Sequence, residues 1–380
     1  MKLESKLPGT KASIFSVMSR MAMEHDAINL SQGFPNFETD QKLKDLVTKA
    51  MNDGYNQYPP DAGIMELREL ISQKFNNLYG RYYKPETEIT ITSGATEALY
   101  NSITAFVQKN DEVIVLKPAY DSYEPSIKLA GGTPVLVQLK GNDYQVDWEE
   151  VASAITNRTR MIIINTPHNP TGTVLSEEDM LKLQGLLKDT NIILLSDEVY
   201  QHLIFDGTIH QSASRFPGLA KRSIICGSFG KTFHNTGWKT GYCVAPAELM
   251  KEIRKIHELT TFSANHPMQR AYAEYLKQPE HYLQLAAFYQ EKRDTFLKLI
   301  SGSRFSSKPS KGTYYQLLDF SEITTEKDTD FAERLVKEHQ LAAIPVSVFN
   351  INEKDHSQLR FCFAKTNETL EKAAEILCSL

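Results

Sequence analysis

From about residue 88 to residue 246, short apolar runs rich in β-branched residues alternate with polar or glycine-bearing loops. They stand in EITITSGATEALY (88–100), DEVIVLKPAYDSY (111–123), TPVLVQL (133–139), RMIIINTPHNPTG (160–172), NIILLSDEVY (191–200), RSIICGSFGKT (222–232) and TGYCVAP (240–246). Apolar runs without alternation are the pattern of strands buried on both faces. Between them, TEALYNSITAFVQ (96–108) and SEEDMLKLQGLLKD (176–189) carry apolar residues at three- and four-residue spacing, as amphipathic helices do. Strands alternating with helices predict an α/β domain built on a mainly parallel, seven-stranded sheet between helices.

The rhythm changes near residue 247. ELMKEIRKIHELTTF (248–262) and EHYLQLAAFYQEKRDTFLKLISG (280–302) read as long amphipathic helices. Strand candidates follow at GTYYQLLDF (312–320), LAAIPVSVF (341–349) and SQLRFCFA (357–364), and NETLEKAAEILCSL closes the chain as a helix with Asn367 as its N-cap. These segments predict a smaller α+β domain over 282–380, after a large α/β domain over 36–281. Residues 1–35, with a helix in SIFSVMSRMAMEHD, form an N-terminal segment expected to pack with the small domain and to act as a lid.

Composition narrows the field. With 41% hydrophobic and 23% charged residues the 380-residue chain is an ordinary globular one. A net charge of −5 with no long run of one sign excludes nucleic acid or an anionic membrane as main partner, though not a local basic pocket for one small anion. No secretory signal and no long apolar stretch is visible, so neither export nor membrane insertion is expected. The four cysteines, without C-x-x-C spacing, suggest a reducing, cytoplasmic setting and no zinc site.

In parallel α/β sheets, ligands sit beyond the carboxyl ends of the strands. The unusual residues lie there: SGATEA, KPAYDSY, NTPHNPTG, SDEVY and SFGKT. Gly94, Ala95 and Thr96 open a helix and suit an anion at its free N–H groups, or a simple cap by Ser93 or Thr96. Lys231 lies in GKT, but a P-loop would need glycine at 225, where isoleucine stands. Asp197, ending an apolar run, either caps a helix in EVYQHL or serves as counter-ion to a protonated ring nitrogen. His168 has no partner at metal-ligand spacing and reads as a loop histidine. Tyr120 and Tyr123 are either core or site aromatics. Arg360, flanked by Leu359 and Phe361, either points outward or grips a carboxylate with its fork; its direction stays open.

The ordered set SQGFP (31–35), NQYPP (56–60), SGATEAL (93–99), KPAYDSY (117–123), NTPHNPTG (165–172), SDEVY (196–200), SFGKTFHNTGWKTGY (228–242) and LRFCF (359–363) resembles the pyridoxal-phosphate aminotransferases of fold type I, class I/II, over almost the full length. INLSQGFP, DEVYQHL, GKTFHNTGWK and AAIPVSVF are most similar to the methionine and kynurenine–oxoglutarate branch.

The resemblance implies a ping-pong transamination in which an L-amino acid, methionine or an aromatic or large apolar one, passes its amino group to a 2-oxo acid. It implies that Lys231 holds pyridoxal phosphate as a Schiff base and shuttles the proton. Asp197 would pair with the pyridinium nitrogen, Asn169 and Tyr200 with the phenolate oxygen, and Tyr120 would stack on the ring. Gly94, Ala95, Thr96, Ser228 and Lys239 would surround the phosphate, and Tyr58 would reach it from the neighbouring subunit of a homodimer. Arg360, with Asn169 and the Gly33 N–H, would clamp the substrate carboxylate, and Ile14, Phe15 and Tyr58 would line the side-chain pocket. Many relatives carry arginine where Lys239 stands; the kynurenine-type branch has lysine, so this marks the branch. A cysteine-S-conjugate β-lyase on the same cofactor stays open beside the transaminase, as does a non-enzymatic regulator.

Overall fold

All seven apolar runs join one sheet. In the computed structural model, which describes residues 1–380 except Lys2 and Lys11, the strands are β1 Ile28–Asn29, β2 Ile89–Thr92, β3 Glu112–Lys117, β4 Thr133–Gln138, β5 Thr159–Asn165, β6 Ile193–Asp197, β7 Ser223–Ser228, β8 Gly241–Val244, β9 Tyr315–Asp319, β10 Leu341–Ala342, β11 Ile344–Pro345 and β12 Gln358–Cys362. The large sheet has the order β2-β8-β7-β6-β5-β3-β4. Only β8 runs against its neighbours β2 and β7; the other pairings are parallel.

Period-two alternation sends successive side chains to opposite faces. Ile162, Ile164, Leu194 and Ile225 enter one core cluster, and Met161, Ile163, Leu195 and Cys226 enter another across the sheet. Both faces are covered, which explains the unbroken apolar runs. The Ala95–Phe106 helix lays Ala98, Leu99, Ile103 and Phe106 on one face, and the Glu177–Leu187 helix lays Met180, Leu183 and Leu187 on the other.

The remaining strands form a three-stranded antiparallel sheet, β11-β12-β9, and a two-residue parallel pair, β1 with β10. The pairing Ile28↔Leu341 ties the N-terminal segment to this C-terminal part, and Met18, Ala22 and Leu30 of that segment are buried.

Three local expectations are corrected. The run 341–349 is not one strand: it pairs first with β1, then with β12, and ends in a 3-10 turn at Ser347–Phe349. Pro345 has no N–H to extend a ladder. The helix over 280–302 divides into Glu280–Leu283 and Leu285–Leu299 at Gln284. The break is local, because Gln284 still donates to the Glu280 carbonyl at 3.2 Å and accepts from the Phe288 N–H at 3.2 Å. The last helix is capped by Thr366, not Asn367: the Thr366 hydroxyl accepts the Thr369 N–H, and the Asn36 side chain holds the Thr366 N–H at 2.7 Å. Among the described residues no helix is long and apolar enough to cross a membrane.

Candidate active site

The topology decides which loops meet. Because β8 is inserted between β2 and β7, Gly241 lies opposite both Thr92 and Ser228. The chain just before Gly241 therefore delivers Lys239 to the turn after β2 and to the end of β7. A cavity of about 290 Å³ opens there, beyond the carboxyl ends of the strands.

Gly94 N-caps the Ala95–Phe106 helix with φ 79°, and no side chain caps it, so neither Ser93 nor Thr96 takes that part. A Cβ on Gly94 would stand 3.2 Å from Lys239 Nζ. Glycine thus leaves the helix start open beside a cation, and the helix dipole adds to the positive potential. Lys239 is itself in the left-handed region, at φ 51°, which disfavours a side chain with a Cβ. Ser228 caps the short Phe229–Thr232 helix, its hydroxyl accepting the Lys231 N–H at 3.3 Å.

Asp197, at the end of β6, is buried. It caps no helix: its carboxylate accepts the Tyr123 hydroxyl at 2.6 Å and the Val199 N–H at 3.3 Å. Burial raises its pKa to about 6, because a low-dielectric setting disfavours the charged form. Lys231 Nζ donates to the Gly33 carbonyl at 3.1 Å and to the Tyr314 hydroxyl at 3.0 Å. Burial, helped by Arg360 and Lys239, lowers its pKa to about 8. About a quarter of such amines are neutral at pH 7.5, against about one in a thousand at the ordinary value. The site thus holds a partly neutral amine, an acid kept from water, and a lysine at a helix start.

Arg360 is fully buried in β12, which settles its direction. Among the described residues its hydrogen-bond partners are uncharged: Nη1 donates to Asn169 Oδ1 at 2.7 Å and Nη2 to the Ser31 carbonyl at 2.7 Å. Nε has no partner. The guanidinium stacks on the Tyr315 ring at 3.9 Å and lies 5.0 Å from the Phe15 ring. A buried cation with an unfilled donor is costly unless an anion joins it.

Twelve of the residues singled out in the sequence line the cavity: Phe15, Gly33, Gly94, Ala95, Thr96, Tyr120, Asn169, Asp197, Tyr200, Ser228, Lys231 and Lys239. Arg360 approaches it through Asn169 and Tyr315. Ile14 packs on the core outside the cavity, and Tyr58 is 79% exposed, its ring edge-on to Phe262. His168 is buried on Thr171, and burial lowers its pKa to about 4. Sequence reasoning missed Tyr314 and Tyr315 in GTYYQ, and assigned no role to the Tyr123 hydroxyl. The Tyr315 hydroxyl meets that of Tyr200 at 3.0 Å, and Tyr314 donates to the Gly33 carbonyl at 2.6 Å. The only signal was two adjacent tyrosines behind a glycine. Asn165 was missed too; it braces the site by donating to the Asp197 carbonyl and accepting the Asn169 N–H.

The fold is shared with known proteins. The family model for aminotransferase class I and II matches residues 25–377. The chain belongs to that family. A methionine aminotransferase of Escherichia coli K12 is 46% identical over 99% of this chain and 98% of its own. The solved structure of an Escherichia coli protein with methionine aminotransferase function superposes with a TM-score of 0.98 over the whole of both chains, at 46% identity. A kynurenine–oxoglutarate transaminase of Dictyostelium discoideum is 34% identical over 97% of this chain and 94% of its own. The protein is a transaminase of fold type I.

Proposed function

We propose that the protein is a pyridoxal-phosphate enzyme that moves the amino group of methionine, or of an aromatic or large apolar L-amino acid, to a 2-oxo acid by a ping-pong route. The observation that carries the reading is the Lys231 amine, made partly neutral by burial and set in one cavity with Asp197, Lys239 and the open start of the Ala95–Phe106 helix.

The donor set fits the cofactor. Asp197 has two donors in Tyr123 and Val199, and a carboxylate can accept more; a cationic ring nitrogen suits a buried acid. The uncapped helix start, with Lys239 Nζ close to Gly94, suits a phosphate. Tyr120 would hold the ring face, and Asn169 with Tyr200 its phenolic oxygen. When bound, pyridoxal phosphate supplies an electron sink for charge at the substrate α-carbon and carries the amino group between the two half-reactions.

The chain's own residues supply the rest. Lys231 would be the covalent anchor and would also serve as the base that moves the α-proton. The Gly33 carbonyl and Tyr314 hydroxyl keep its amine in place. Arg360, aided by Asn169 and the Gly33 N–H, would hold the α-carboxylate with its guanidinium fork. Phe15 gives the pocket an apolar wall, which favours methionine and aromatic donors. The segment 1–35, with Ile14, would close over it.

The active unit is a homodimer in this reading. Tyr58, Leu259 and Phe262 are 79%, 83% and 44% exposed, and the first and last pack together. Such a patch suits a second copy of the chain, with Tyr58 reaching the neighbouring phosphate. The test is borohydride reduction of the holoenzyme, then peptide mapping. The tag should fall on Lys231, Lys231→Ala should carry none and turn nothing over, and a panel of donors should rank methionine and aromatics above aspartate. A tag elsewhere, or none, ends the proposal.

A further inference from the structure

Beneath the Ser93–Thr96 turn lies a buried ion pair with no part in the steps above. His257, on the Ala247–Thr260 helix, is fully buried and has an acceptor at each ring nitrogen. Nδ1 lies 2.6 Å from Glu97 Oε1, and Nε2 lies 2.9 Å from the Asp61 carbonyl oxygen. A neutral imidazole has one N–H and would turn a lone pair towards one of these oxygens; only the imidazolium donates to both. Burial works against that charge, but Glu97 and Asp61 outweigh it and hold the pKa above the ordinary 6.5. Arg254, one turn earlier on the same helix, directs its guanidinium to Thr90, Glu86 and Ile89 instead.

Each partner leads to a different part of the site. Glu97 Oε2 accepts the backbone N–H of Ser93, and Oε1 accepts Asn101 Nδ2 at 2.8 Å, so the carboxylate sets the turn that opens the Ala95–Phe106 helix. Asp61 lies three residues after Tyr58 in the same loop. The His257 carbonyl accepts the Phe262 N–H at 3.0 Å, and the Phe262 ring packs edge-on against Tyr58 at 5.1 Å.

We propose that His257 is a positioning residue: a single imidazolium, donating to Glu97 and to the Asp61 carbonyl, locks the phosphate turn of its own site to the loop that carries Tyr58 towards the neighbouring one. The inference rests on the pyridoxal-phosphate homodimer reading and adds a physical link between the two cradles.

The test is titration of the apoprotein with pyridoxal phosphate and, separately, with pyridoxal, read by absorbance. His257→Gln and Glu97→Gln should each weaken pyridoxal phosphate about tenfold, a loss the size of one charged hydrogen bond, and leave pyridoxal unchanged. Tyr58→Phe should weaken the phosphate form several-fold in the parent and little in His257→Gln, since coupled residues do not add. Equal losses for both ligands, or parent-like binding of pyridoxal phosphate by His257→Gln, would overturn the inference. Should that variant fail to fold, Glu97→Gln decides by the same comparison. A parent protein that takes up no pyridoxal phosphate would instead overturn the cofactor reading.

Discussion

Tyr123→Phe isolates one hydroxyl. The ring is 2% exposed and keeps its packing, while Asp197 loses the donor at 2.6 Å and retains the Val199 N–H at 3.3 Å. A hydrogen bond to a charged, buried acceptor contributes about 1.5–3 kcal/mol. One pKa unit corresponds to about 1.4 kcal/mol, so the Asp197 pKa should climb by about one to two units from about 6. The ionised fraction at pH 7 would drop from about nine-tenths to between about one-half and one-tenth. Only the ionised carboxylate holds a cationic nitrogen, so pyridoxal phosphate should bind about two- to tenfold more weakly to the apoprotein at that pH. The assay is the cofactor's affinity measured from about pH 5 to about pH 9 and plotted as its logarithm. The parent curve should bend near 6, from Asp197, and near 8, from Lys231. In the variant the lower bend should rise and the upper one stay. A lower bend that does not move would refute the assignment of Tyr123 and of Asp197 together.

Two further outcomes rest on the same geometry. Asp197→Asn should make the apoprotein more stable at pH 7 while abolishing tight cofactor binding. The folded pKa of about 6 lies above the ordinary value of 3.8, so the folded state binds more protons in that window and stability falls as pH rises through it; the difference is about 3 kcal/mol at neutral pH and vanishes below about pH 4, and melting curves at the two pH values that show no gap would contradict it. Arg360→Lys removes the fork that meets Asn169 and Ser31 and offers one point charge instead; KM for amino acids should rise about 30- to 160-fold, from about 2–3 kcal/mol of lost charged hydrogen bonding, with kcat changed far less, and an unchanged KM in steady-state kinetics would remove Arg360 from carboxylate binding.

Much of the scaffold was legible because periodicity reports local burial. Each inner strand must be apolar on both faces, and each covering helix on one, so the runs at 160–165 and 193–195 and the stripe through Leu99, Ile103 and Phe106 declared themselves. The clustering of SGATEA, SDEVY and SFGKT after strands located a site edge for the same reason: loops at the carboxyl ends of parallel strands share an edge.

What the chain order could not disclose was pairing over long separations. Nothing local says that β8 runs antiparallel between β2 and β7, yet that insertion alone sets Lys239 against Gly94. Nor does a pattern distinguish a core tyrosine from one whose hydroxyl meets a buried acid: Tyr123 and Tyr314 are both buried rings, and only tertiary packing set their oxygens on Asp197 and Lys231. The run at 341–349 looked like one strand because it is apolar throughout, and it changes partners because two sheets compete for its backbone. By itself, then, the sequence determined which segments must leave water and which residue types stand at their ends. The tertiary structure decided which of those ends face one another, because hydrogen bonds and shifted acidities act over a few ångströms of space, whatever the distance along the chain.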